Sequence, residues 1–140
     1  MQIITENNDL HEDTGLVCHL LHETALEPLL AKPLAGHLFE NLVISDLRKS
    51  FFNRGEVPHF YFYRTTNGDE VDLIIERRGG IMPLEIKFSK SLNPSLFQPL
   101  ERFCKLYKTH GKWISLSQER LKASPSVETL PFGSYLSLMD

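Results

Sequence analysis

Asp72, Glu85 and Lys87 are the residues whose types and spacing point most directly to chemistry. Asp72 lies in Glu70-Val71-Asp72-Leu73-Ile74-Ile75-Glu76, and Glu85 and Lys87 lie in Ile81-Met82-Pro83-Leu84-Glu85-Ile86-Lys87-Phe88. Both segments read as strands, joined by the turn Arg77-Arg78-Gly79-Gly80. Side chains alternate across a strand. Val71, Leu73 and Ile75 are therefore expected on one side, and Glu70, Asp72, Ile74 and Glu76 on the other. Glu85 and Lys87 share a side with Pro83, opposite Leu84, Ile86 and Phe88. If Arg78-Gly79 is the two-residue loop, Asp72 lies directly across from Glu85. If Gly79-Gly80 is the loop, Asp72 faces Lys87 and stands diagonal to Glu85. Both registers put the three residues on one face, with β-carbons roughly 5–8 Å apart. Carboxylates that close repel unless something positive lies between them. Lys87 supplies one charge. A divalent ion would supply more, and Mg2+ favours one or two carboxylates, several waters and a phosphate. The competing expectation is a water-facing sheet, on which Glu70, Asp72, Glu85 and Lys87 are the polar half of an alternating pair.

A fourth acid bears on that choice. A helix is expected from about His37 to Phe52, with Glu40, Val43, Ile44, Leu47 and Phe51 on one face by their three- and four-residue spacing. A carboxylate at the end of an apolar stripe costs free energy unless paired. Near the helix start Glu40 could equally be a surface residue favoured by the helix dipole. Asn53-Arg54-Gly55 stops the helix. His59 to Thr65 reads as an aromatic-rich strand, and Asn67-Gly68 is a hairpin signal. After the two acidic strands, Pro94 to Lys108 reads as a second helix, with Leu96, Leu100, Phe103 and Leu106 or Tyr107 buried. Pro99 kinks it or marks its true start, and Gly111 ends it. Lys112 to Leu116 is a further strand, and the tail after Gln118 is ambiguous. The order is helix, three antiparallel strands, helix, strand. It predicts an α/β fold with a mixed sheet and helices packed on it.

The 140 residues are 41% hydrophobic and 24% charged, enough for one domain with its own core. No apolar run approaches a membrane span, and the acidic start, Met1 to Leu10, is unlike a signal peptide. Cys18 and Cys104, at no metal spacing, fit a reducing cytoplasm and no disulfide framework. His19 and His22 are three apart but lack a partner at ligand spacing, and Ser134 lacks the surroundings of a nucleophile. The net charge of −3 argues against coating nucleic acid by charge alone. Residues 1–35 carry a net of −5, residues 36–112 a net of +3 and residues 113–140 a net of −1. A nucleic-acid surface is therefore expected in the middle block, unless its charge is ordinary surface.

Gly36-His37-Leu38-Phe39-Glu40-Asn41, Tyr63-Arg64-Thr65, Glu70-Val71-Asp72-Leu73-Ile74 and Pro83-Leu84-Glu85-Ile86-Lys87, in this order and spacing, resemble one family. It is domain of unknown function 4143, which follows an AAA-type ATPase module in many bacterial and archaeal proteins. Asp13-Thr14-Gly15-Leu16 and Leu20-Leu21 resemble the segment leading into it, so the resemblance covers about residues 13–117. That domain is similar to the PD-(D/E)XK nuclease superfamily, with its restriction-endonuclease-like α-β-β-β-α-β core. The resemblance implies that Asp72 and Glu85 are metal ligands, and that Glu40 is a ligand directly or through water. It implies that Lys87 orients or activates the attacking water, and it offers Gln98 as an accessory polar residue. The implied activity is Mg2+- or Mn2+-assisted hydrolysis of DNA phosphodiesters, with Arg64, Arg77, Arg78 and Lys90 placed to contact phosphates. The alternatives are a catalytically silent nuclease-fold module that binds nucleic acid or a protein, and a structural domain of the ATPase. No G-x-x-x-x-G-K-[ST] loop occurs, so no nucleotide site is expected, and the chain reads as a carboxy-terminal portion or a shortened gene product. The expected organisation is a poorly ordered 1–12, a helical lead-in 13–35, a core 36–117 and an extension 118–140. Self-association is left open.

Overall fold

The computed structural model describes residues 2–5 and 33–139. Strand β1 (Gln2–Thr5) is followed by helix α1 (Leu34–Asn53), then β2 (His59–Arg64), β3 (Glu70–Arg77) and β4 (Gly80–Lys87). A 3-10 turn (Pro94–Phe97) leads into helix α2 (Gln98–Tyr107), then β5 (Gly111–Ser115), β6 (Val127–Pro131) and a closing 3-10 segment (Phe132–Met139). The strands form one sheet in the order β1-β2-β3-β4-β5-β6. Pairing is antiparallel from β1 to β4 and parallel across β4, β5 and β6. This is the expected α/β class with a mixed sheet. A parallel pair needs a crossover, and α2 supplies it between β4 and β5.

Each helix covers one face of the sheet. The α1 stripe Val43, Ile44, Leu47 and Phe51 packs with Phe60, Leu73, Ile75, Leu84 and Ile86. On the other face Leu100, Phe103 and Cys104 of α2 pack with Val71, Ile74 and Trp113. Helix α1 ends as its sequence implies, with Gly55 at a positive φ of 72° and its N–H on the Phe52 carbonyl.

Several expectations need correction. Residues 2–5, expected to be poorly ordered, pair with β2 as an edge strand. The ambiguous tail adds β6 to the sheet and returns Tyr135 and Met139 to the core. Pro99 lies in the first turn of α2, which begins at Gln98, so it marks a start and not a kink. The preceding turn is 3-10, which rotates Phe97 inward and leaves Leu96 exposed, while Leu106 also faces out. Residues 6–32, including Cys18, His19, His22 and nearly all of the 13–35 lead-in, lie outside the described residues.

Helix α2 also stops earlier than Gly111. Lys108 takes the left-handed conformation (φ 52°), and the Thr109 N–H reaches the Cys104 carbonyl. Gly111 instead opens β5 beneath α2, where an added β-carbon would stand 3.0 Å from both Cys104 Sγ and Leu100 Cδ1. Gly111→Ala is expected to lose about 1–3 kcal/mol through overpacking, read as a lower urea midpoint.

Candidate functional site

The site is built where β3 and β4 separate. Their ladder pairs Arg77 with Gly80 and Leu73 with Leu84. This is the register of an Arg78-Gly79 loop, the first of the two alternatives, with Gly79 at φ 101°. Beyond Leu73 a side chain enters the ladder: Asp72 Oδ2 accepts the Ile86 backbone N–H at 2.8 Å.

The alternation expected for β3 is broken. Tyr61 pairs with Ile74 but Tyr63 pairs with Val71, so Phe62 is opposed by two residues, Asp72 and Leu73. This β-bulge moves Val71 to the α2 face with Ile74, while Leu73 and Ile75 stay on the α1 face. Asp72 is thereby released from the simple even-numbered side and lodged at the strand split. The expectation of Val71, Leu73 and Ile75 on one side is corrected accordingly.

Lys87 Nζ lies 2.7 Å from Glu85 Oε1 and 3.2 Å from Asp72 Oδ2, joining acids from two strands. The acid side chains are about nine-tenths buried, while Lys87 is 39% exposed. Glu85 Oε2 is buried and has no hydrogen-bond partner among the described residues. Burial, then the Asp72 charge, push the Glu85 carboxyl up to about 7. Burial also raises Asp72, against the pull of Lys87 and the Ile86 N–H. Burial works against the Lys87 charge, but Asp72 and Glu85 outweigh it and hold the ammonium above its ordinary range.

Glu40 arrives from α1. The buried stripe behind it fixes the helix on the sheet and carries Glu40 over the open end of β3. A cleft of about 260 Å3 runs there between Glu40, Phe62, Arg64, Glu70 and Asp72. Burial, followed by the Asp72 charge, raises Glu40 to about 7. The structure thus brings Glu40, Asp72, Glu85 and Lys87 into one electrostatic neighbourhood. No group of three His, Cys, Asp or Glu among the described residues is arranged to hold a metal ion.

The predicted phosphate contacts do not gather. Arg64 stands at the cleft and pairs with Glu70 at 2.8 Å, and Lys90 is exposed three residues after Lys87. Arg77 is five residues along β3 from Asp72, about 16 Å. Its guanidinium rests 5.8 Å from the Phe51 ring centroid, across a different cleft that Arg78 also lines. Arg77 and Arg78 are therefore apart from the acids. Gln98 is exposed at the first position of α2.

Two further residues stand at the site without a local sequence signal that marks them. Glu70 was assigned only to a polar face, yet it lines the cleft and adds to the upward push on Glu40. Trp113 falls within the strand expected over Lys112 to Leu116; it is buried, and it stands in register with Glu85 across β4 and β5. Its signal would have been a polar ring atom on a strand next to an acid, visible only once β5 is known to pair with β4.

No helix among the described residues is long and apolar enough to cross a membrane. No curated protein matches the chain. A family model described as "Domain of unknown function (DUF4143)" matches residues 35–135, the stretch that contains α2, all of α1 but its first residue and the whole acid–lysine cluster, and the chain belongs to that family.

Proposed function

We propose that this chain is a metal-dependent nuclease-like module of the PD-(D/E)XK type, acting on DNA phosphodiesters and working beside an AAA-type ATPase module in the cytoplasm. The observation that carries the reading is the cluster at the strand split, with Asp72 and Glu85 sharing Lys87 and Glu40 close by. The helix, three antiparallel strands, helix and parallel strand that carry it have the order of that superfamily's core. Residues 36–117 would be this core, to which β6 and the closing 3-10 segment add.

The donor chemistry fits Mg2+ or Mn2+. The acids offer hard oxygen ligands, and the partnerless Glu85 Oε2 is a buried acceptor suited to a cation. Asp72 and Glu85 would hold the ion, with Glu40 on its outer side. Such an ion neutralises charge on a phosphate and lowers the pKa of a bound water. Lys87 Nζ, already fixed by two carboxylates, would hold a water or a phosphate oxygen by donating a proton in a hydrogen bond. Arg64 and Lys90 would contact the DNA backbone without reading sequence.

The test is cleavage of linear and supercoiled DNA by the purified chain with Mg2+ or Mn2+. Asp72→Ala and Lys87→Ala should each lose at least about 100-fold in rate. Cleavage by Lys87→Ala equal to the parent would sink the assignment.

One observation favours a second reading. Lys87 already bridges both strand acids, as it would in a silent nuclease-fold module that binds nucleic acid or protein. That reading expects DNA retention without metal and no turnover. A purely structural domain of the ATPase expects neither.

A further inference from the structure

Glu85 and Trp113 occupy the same register position on adjacent parallel strands, so their side chains leave the sheet on the same face. That face is the one covered by α2, and Trp113 is packed edge-on against Phe97 at 4.5 Å between ring centroids. Trp113 is 1% exposed and Glu85 is 6% exposed. Trp113 Nε1 and Glu85 Oε2 are the two buried side-chain polar atoms without a hydrogen-bond partner among the described residues. One is a donor only, the other, when ionised, an acceptor only. Leaving either unmade costs about 1–3 kcal/mol, more for the charged group. A donor and an acceptor stranded side by side are the complement of each other.

We propose that Trp113 is a positioning residue for Glu85: its indole N–H reaches Oε2 through one bridging water and fixes the carboxylate plane at the strand split. The link occupies one lone pair of Oε2 and leaves the other for a cation, while the second oxygen of Glu85 is already fixed by Lys87. It would orient the acid toward a cation in the way outer partners orient metal ligands. The inference rests on the metal-site reading of Glu85 for its consequence, not for the link itself. Phe97 acts as the backstop that holds the indole against the sheet.

Trp113 is the single tryptophan of the chain, so a 1H–15N spectrum carries one indole N–H signal. The expected result is an indole signal slow to exchange with solvent that shifts on Glu85→Gln, while the backbone N–H signals of Arg77 and Arg78, at the far end of β3, stay in place. Trp113→Phe keeps an aromatic ring against Phe97 and should weaken Mg2+ binding by about 10-fold or more, measured calorimetrically. An indole signal unmoved by Glu85→Gln in a folded chain overturns the proposal, whatever Trp113→Phe does to stability. A coupled indole signal in a chain that binds no Mg2+ supports the link and defeats the metal-site reading alone.

Discussion

Raising the pH of the metal-free chain from about 4.5 to about 8 is expected to lower its unfolding free energy by about 3 kcal/mol. Glu40 and Glu85 are each raised from 4.5 to about 7, in both cases chiefly by burial. A carboxyl that binds its proton more tightly when folded stabilises the fold while it is protonated. That stabilisation is complete below 4.5, fades as the pH climbs, and is gone above about 7. The two acids share neighbours in Asp72 and Lys87, so their effects do not simply add. Other groups act in the opposite sense at lower pH. The hydrogen bonds of Arg102 to Asp69, and of Lys112 and Arg120 to Glu128, hold those carboxyls below their usual range. Their contribution is lost as the medium becomes more acid. Stability should therefore peak in mildly acid solution and slope downward toward neutrality. Urea unfolding across this range measures it, and Glu85→Gln should flatten the slope. A profile that is level from pH 5 to pH 8 would contradict the burial of these acids. If Asp72 and Glu85 hold Mg2+ as proposed, the ion added near pH 8 should restore stability by about 2.7 kcal/mol at a concentration 100 times its dissociation constant.

The parts of the fold that local chemistry decides were legible in the sequence. The stripe Val43, Ile44, Leu47 and Phe51 has no reading but a helix face, and all four are buried. The Arg78-Gly79 loop was one of two registers, and the Leu73–Leu84 pairing selects it. What was not legible depends on residues far apart in the chain. The bulge at Asp72 and Leu73 exists because β2 pairs with β3 in two registers on either side of Phe62. No alternation rule within β3 reveals it, yet it decides where Asp72 points. β6 is five residues long and ends in Pro131, so it is a strand mainly by virtue of β5 beside it. Asp72 and Glu85 stand out in the sequence because carboxylates are rare in half-buried strands, and both are about nine-tenths buried. The arginines were misplaced because Arg77 and Arg78 lie close to Asp72 in sequence but at the other end of β3. Charge counting over residues 36–112 cannot tell one end of a sheet from the other.

Lys87→Met offers the largest separation between the readings of the site. The substitution keeps most of the side-chain length but removes the cation shared by Asp72 and Glu85. Breaking a buried ion pair from one side costs 3–5 kcal/mol where both partners are dry, and the 39% exposure of the Lys87 side chain moderates this. A loss of about 2 kcal/mol is expected near pH 8, above the value of about 7 to which Glu85 is raised. The loss should shrink below pH 6, because Glu85, already raised to about 7 with its neighbour's ammonium present, takes up a proton once that ammonium is gone. Divalent ions then discriminate. If Asp72 and Glu85 form a cation site, Mg2+ replaces the missing charge, binds Lys87→Met at least as tightly as the parent, and recovers most of the lost stability at high pH while cleavage stays absent. If Lys87 is a permanent structural counter-ion in a silent module, Mg2+ leaves the variant as unstable as it found it. The same unfolding experiment, run at two pH values with and without Mg2+, therefore reads the purpose of the lysine from stability alone and does not depend on finding the correct DNA substrate.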